Sequence, residues 1–110
     1  MTTKEFNDLF DSRVLPAIKR MRDGGQKEYA HDLNDVFANF NRISELLNND
    51  RKKVLMTYLL KHIDGISAFV KGHTSQREEI TGRITDAIVY LILLWAMIEE
   101  EMIIGRNKDG

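Results

Sequence analysis

Ala87-Ile88-Val89-Tyr90-Leu91-Ile92-Leu93-Leu94-Trp95-Ala96-Met97-Ile98 is an unbroken apolar run, headed by Asp86 and closed by Glu99-Glu100-Glu101. It is shorter than the roughly 20 apolar residues that a membrane span requires, and carboxylates bracket it. A helix that is apolar on every face has to be surrounded by protein, so the run reads as a core helix or an oligomer interface. Asp86 then stands at the edge of a buried region, where a carboxylate is costly unless it is paired, hydrogen-bonded or protonated. Spacings of four, three and four residues put Glu79, Arg83, Asp86 and Tyr90 on one helical stripe. Two readings of that stripe stay open: a ligand site, or an internal ion pair of Arg83 with Glu79 or Asp86.

The remaining chain supplies companions for this helix. Thr2 and Glu5 have capping-box spacing, and Phe6, Leu9, Phe10, Val14 and Ile18 follow at helical intervals. Pro16 lacks a backbone donor and predicts a kink or split before a stop at Gly24-Gly25. A polar stretch, residues 24–34, holds Tyr29, His31 and Asp32; a connection of this length in a small helical domain is more often functional than idle. A second helix is expected over residues 35–47 behind an Asn34 cap, with Val36, Phe40, Ile43 and Leu47 in one row and Phe37 beside them. Asp50 caps a third, whose buried stripe is Leu55, Leu59, His62, Ile66 and Phe69, and Gly72 stops it. Ser75 and Glu78 repeat the capping-box spacing before a fourth helix running through Gly82 to Ile104. The expected architecture is all-α: an antiparallel bundle of four to five helices around a long apolar C-terminal helix, one domain over residues 1–104 with a mobile polar tail at 105–110.

Composition narrows the function classes. The chain has 110 residues, 16 basic and 17 acidic side chains and a net charge of −1, so no overall field recruits bulk nucleic acid or an anionic membrane. Zero cysteines remove disulfides, thiolate catalysis and cysteine-built zinc sites, which fits a reducing cytoplasm. The start, MTTKEFNDLF, lacks the apolar core of a signal peptide. His31, His62 and His73 show no zinc-type spacing. No P-loop, dinucleotide fingerprint or nucleophile motif is present.

Within the third helix, Lys61-His62-Ile63-Asp64-Gly65 gathers three ionisable groups in one turn. Lys61 suits a phosphate and Asp64 a ribose hydroxyl or a base, roles that fit a nucleotide. His62 lies on the apolar stripe and reads either as a satisfied core histidine or as a ligand contact. Arg51-Lys52-Lys53 opens the helix where its dipole disfavours cations, which an anionic partner would explain and a solvated surface run explains more simply. The triplet Glu99 to Glu101 reads as a solvated helix end. Asp32, Asp64, Glu79 and Asp86 are the attractive carboxylates for magnesium, but they lie on different elements.

Three segments in order carry a family resemblance: Tyr29-Ala-His-Asp32 with Phe37-Ala-Asn-Phe40-Asn-Arg-Ile43, then Leu59-Leu-Lys61-His-Ile-Asp64, then Arg83-Ile-Thr-Asp86-Ala-Ile-Val-Tyr90. The order resembles small, mostly phage-encoded all-α proteins related to the nucleotide modification associated domain, and more distantly the MazG-like nucleotide pyrophosphohydrolases. The likeness spans residues 26–101. It implies a nucleotide-like ligand between helices, with Tyr29, Asp32, Asn39, Lys61, Asp64, Asp86 and Tyr90 at matching positions. MazG-type enzymes carry Glu-Glu-x-x-Glu on one helix and Glu-x-x-Asp on the next as magnesium ligands. Here Arg83-x-x-Asp86 occupies the second place, and Gly82 stands where a third glutamate would follow Glu78-Glu79. An arginine there repels the metal and attracts a phosphate.

The sequence thus leads to a small cytoplasmic phage or prophage protein, in the host cell if phage-encoded, that binds or sequesters a nucleotide-derived ligand without obligatory turnover and needs no cofactor. Its binding set is Tyr29, His31, Asp32, Asn39, Lys61, His62, Asp64, Arg83, Asp86 and Tyr90, with no catalytic or metal-ligating residue assigned. The alternatives are a divergent magnesium-dependent pyrophosphohydrolase using Asp86, Asp64 and Asp32, and a non-catalytic interaction module. The apolar run predicts a homo-oligomer, a dimer first, because three short companion helices cannot cover it.

Overall fold

Helical periodicity in the sequence becomes helix throughout the computed structural model, which describes residues 1–25, 35–73 and 79–109, the last four in backbone only. The elements are α1 (Thr3–Leu9), a π-turn (Phe10–Val14), α2 (Leu15–Gly25), α3 (Ala38–Leu47), α4 (Arg51–Val70) and α5 (Ile80–Asp109). Among the described residues there is no strand, and no helix is long and apolar enough to cross a membrane.

Local chemistry sets the boundaries. The Thr2 hydroxyl accepts from the Glu5 backbone N–H while the Glu5 carboxylate accepts from the Thr2 N–H, closing the capping box at α1. Pro16 does not break the N-terminal helix; the backbone widens instead into the π-turn one turn earlier, closed by the Leu15 N–H donating to Phe10 O. The proline ring clashes with the carbonyl four residues before it in a regular α-helix, and the wider turn moves that carbonyl aside. At α3 the cap comes from Asp35, whose carboxylate accepts from the Phe37 N–H at 2.9 Å and from Asn41 Nδ2 at 3.1 Å. Asn34, the expected cap, and the Ser75–Glu78 box lie outside the described residues. Asn48 ends α3 in the left-handed region at φ 49°, and Gly72 ends α4 at φ 100°, a conformation glycine adopts without strain. α5 continues through Gly105 to Asp109, beyond the expected stop at Ile104, since Gly105 alone is too weak a breaker to end a long docked helix.

α4 and α5 pack antiparallel and form the frame, with α3 against α4 and α2 against α5. The face of α5 turned toward α4 is one heptad stripe, Arg83, Asp86, Tyr90, Leu93, Met97 and Glu100, at alternating spacings of three and four. Met97 and Leu55 are fully buried at the centre of a core completed by Phe37, Phe40 and Val54. Val36 and Leu47, expected in the buried row of α3, are exposed, because the helix starts at Ala38 and presents Phe40 and Ile43 to α4 and α5. Phe69 at the end of α4 is likewise exposed.

One end of the frame is fastened by charge. Arg51 lies 4.9 Å over the Phe37 ring and pairs with Glu100 at 3.1 Å and Glu101 at 3.5 Å, while Lys52 bridges Glu101 at 2.9 Å and Asp50 at 3.1 Å. The basic start of α4 therefore answers the glutamates of this chain's own α5, and the acidic triplet is no idle helix end.

Two outcomes follow from this end of the frame. Arg51 is largely buried, so Arg51→Ala lowers stability by about 1–3 kcal/mol, whereas Lys52→Ala, at an exposed bridge, costs about 0–1 kcal/mol; urea unfolding measures both. Hydrogen bonding from the Lys52 backbone N–H and then its ammonium holds the Asp50 carboxyl below its ordinary value near 3.8. Its contribution is therefore complete above that value and is lost as pH falls through the lower folded value. Asp50→Ala costs roughly 1 kcal/mol at neutral pH, and the deficit against the parent shrinks in melts carried into that acid range.

Candidate functional site

The polar half of the α5 inner stripe meets α4 and α3 in a cluster of aromatic and ionisable side chains. On α4, Tyr58 and His62 are one helical turn apart; on α5, Asp86 and Tyr90 are one turn apart. Antiparallel packing brings the two pairs face to face. The Tyr58 and Tyr90 rings stack at 6.2 Å and 12°, His62 stacks on Tyr90 at 5.6 Å and 29°, and Phe40 of α3 meets both tyrosines edge-on at 6.2 Å. His62 Nε2 lies 3.8 Å from Asp86 Oδ2, within ion-pair range and beyond hydrogen-bond length.

His62 is a core histidine, 8 % exposed, yet its Nδ1 has no hydrogen-bond partner. Arg83 Nε is the other such buried nitrogen among the described residues. Arg83 forms no ion pair with Glu79 or Asp86 among the described residues; its side chain lies across Gly65 of α4. A Cβ at Gly65 would fall 2.5 Å from Arg83 Nη1 and 2.7 Å from Cδ and Cζ, so the glycine makes the room that the guanidinium occupies.

The sequence-derived candidates thus separate. His62, Arg83, Asp86 and Tyr90 come together. Lys61 and Asp64 are exposed on α4 beside the cluster. Asn39 is half-buried on α3, its side-chain oxygen accepting from Arg42 Nη2 at 2.8 Å. Tyr29, His31 and Asp32 lie outside the described residues. No three His, Asp or Glu side chains converge as a metal-holding group among the described residues. α5 spans Ile80–Asp109, which places Asp86 in its second turn.

Tyr58 and Phe40 also pack into the cluster; Phe40 was expected only in the buried row of the second helix, and Tyr58 was not singled out, although it precedes His62 by the four residues that define a shared helical face. An open groove of about 620 Å³ lies elsewhere, toward the C-terminal half of α5, walled by Val36, Phe37, Ile92, Trp95 and Ile103. Its lining is apolar apart from Glu99 and Glu100, and it has none of the cluster's chemistry. No protein-family model, curated protein or solved structure matches the chain.

The close approach at Gly65 generates a test. Gly65→Ala gains roughly 1 kcal/mol of helix propensity and displaces the Arg83 side chain, so the melting temperature changes little while the Arg83 Nε–H resonance moves in a nitrogen–proton correlation spectrum. An unmoved resonance would show that the guanidinium does not depend on the missing Cβ.

Proposed function

We propose that this chain binds a planar, anionic ligand of the nucleotide class at the His62, Arg83, Asp86 and Tyr90 cluster, without obligatory turnover. The observation that carries the reading is the pair of buried nitrogens, His62 Nδ1 and Arg83 Nε, that lack hydrogen-bond partners on facing helices. An unsatisfied buried polar group costs about 1–3 kcal/mol, and a ligand with acceptor oxygens or ring nitrogens removes that cost. Arg83 supplies a fixed charge for a phosphate oxygen, and Asp86 accepts a donor from a base or sugar. The stacked tyrosines supply a flat wall against which a heteroaromatic ring packs. Lys61 and Asp64, exposed at the neighbouring turn, extend the polar surface toward solvent. The cysteine-free composition suits work in a reducing cytoplasm.

A binding role without metal is the economical reading because an arginine stands on the stripe where a metal centre would need a carboxylate. Calorimetry with nucleoside mono-, di- and triphosphates, in chelator and in magnesium, tests it, together with mass spectrometry of any ligand released from the purified protein. Binding persists in chelator. Asp86→Asn weakens it by about 1–3 kcal/mol with little change in melting temperature. A fall in melting temperature with unchanged affinity would instead make the His62–Asp86 contact structural, and release of pyrophosphate in magnesium would make the protein a hydrolase.

A further inference from the structure

The outward side of α5 carries a second heptad stripe that the described residues leave uncovered. Ile84, Ile88, Leu91, Trp95, Ile98 and Met102 recur at spacings of four, three, four, three and four, the seam of a two-helix coiled coil. Trp95 is 68 % exposed and Leu91 51 %, and only Ile88 on this stripe is less than about two-fifths exposed. The inner stripe from Arg83 to Glu100 is occupied by α4, so the uncovered seam is not a helix turned the wrong way. It is the second apolar face of the same helix.

The surface area of the chain accords with an uncovered face. The chain exposes 8456 Å². A compact 12.8 kDa monomer exposes roughly 6,300 Å², leaving a surplus of about 2,000 Å². A stable homodimer interface needs about 800–1,000 Å² from each partner.

We infer that the occupant of this face is a second copy of the chain, its α5 laid antiparallel along the first. Charge selects the direction. In a parallel pair Glu99 and Glu101, which flank the seam, would meet the same glutamates of the other copy. In the antiparallel pair they lie toward the N-terminal turns of the partner α5, where the helix dipole favours acids. The stripe is also self-complementary in this sense. Reversed about its midpoint, Ile84 faces Met102 of the partner subunit, Ile88 faces Ile98 of the partner subunit, and Leu91 faces Trp95 of the partner subunit. The Trp95 indole N–H already donates to Glu99 Oε1 at 3.2 Å, so the ring can be covered without stranding a donor. This inference is independent of the ligand reading.

Sedimentation of the wild-type chain at micromolar concentration gives about twice 12.8 kDa. Trp95→Glu raises the dimer dissociation constant by about 30-fold or more while far-ultraviolet dichroism stays helical. Single-cysteine variants in the naturally cysteine-free chain keep the test independent of that variant's folding. Ile84→Cys and Met102→Cys form a disulfide-linked dimer when mixed and oxidised, and neither does so alone, because the two copies of either site lie about 27 Å apart in the antiparallel pair. A folded wild-type monomer would overturn the inference and assign the face to a different partner. Self-linking of either cysteine variant, no link in the mixture, or a Trp95→Glu chain that remains dimeric would overturn it as well.

Discussion

A helix has one axis and a full circle of side chains, and α5 has apolar residues around the whole of that circle for twelve positions. Nothing else in the chain constrains the structure as strongly. Burying one side fixes the antiparallel partner α4, because the stripe from Arg83 to Glu100 needs a complementary stripe of the same length. α4 provides it with Gly65 opposite Arg83, His62 opposite Asp86, Tyr58 beside Tyr90, and Arg51 opposite Glu100. Phe37, at the cap of α3, and Phe40 within it then cover the aromatic and apolar middle. The opposite side of α5 is left open by the other described elements, since α1 makes no substantial contact with α5 and Leu91 and Trp95 stay exposed beside α2.

Composition along the inner stripe divides labour. Its centre, Leu93 and Met97, is the dry part of the frame and supplies hydrophobic stabilisation in proportion to buried area. Its ends carry charge, and the two ends use it differently. At Glu100 the charge is answered by Arg51, with additional donors to the Met97 carbonyl and Asn41, so the contact fixes the register of α4 against α5. At the other end Asp86 lies 3.8 Å from His62 and the Arg83 side chain lies across Gly65, and among the described residues His62 Nδ1 and Arg83 Nε have no hydrogen-bond partner. One end of the stripe is fastened by ion pairs, and at the other two buried nitrogens have no hydrogen-bond partner among the described residues.

Local signals in the sequence were readable wherever a single residue type has a single use. Asp50 as cap, Gly72 as terminator, the Thr2–Glu5 box and the burial of Leu55, Leu59 and His62 all follow from short-range chemistry. Pro16 signalled an irregularity but not its form: the first helix is divided by a π-turn just before the proline and then continues to Gly25. Partners far apart in sequence were illegible: Arg51 and Glu100 are unremarkable as separate charges, and their surroundings read as solvent until α4 is laid on α5. Tyr58 escaped for another reason, since tyrosine is too polar for an apolar row and too apolar for a list of chemical groups. In α5 the difficulty was inverted. Where every position is apolar, periodicity carries no phase, so the run announces a fully surrounded helix without saying which half its own chain covers.

Placement of the polar cluster near the start of α5 also has a physical basis. Deep in the middle of the frame, an arginine, an aspartate and a histidine would each lose nearly all hydration, and the attraction among them rarely repays that loss. Within two turns of the α5 start Asp86 keeps about a quarter of its side chain exposed, whereas His62, facing it from α4, is buried, and the rings of Tyr58, Tyr90 and Phe40 pack together beside them. Gly65 is the complementary choice on α4, since any larger residue would push the Arg83 side chain out of its place. The helix that bears this cluster on one face bears the uncovered seam on the other. Substitutions along α5 therefore fall into two sets by heptad position rather than by sequence distance, and neighbours such as Arg83 and Ile84 answer to unrelated constraints.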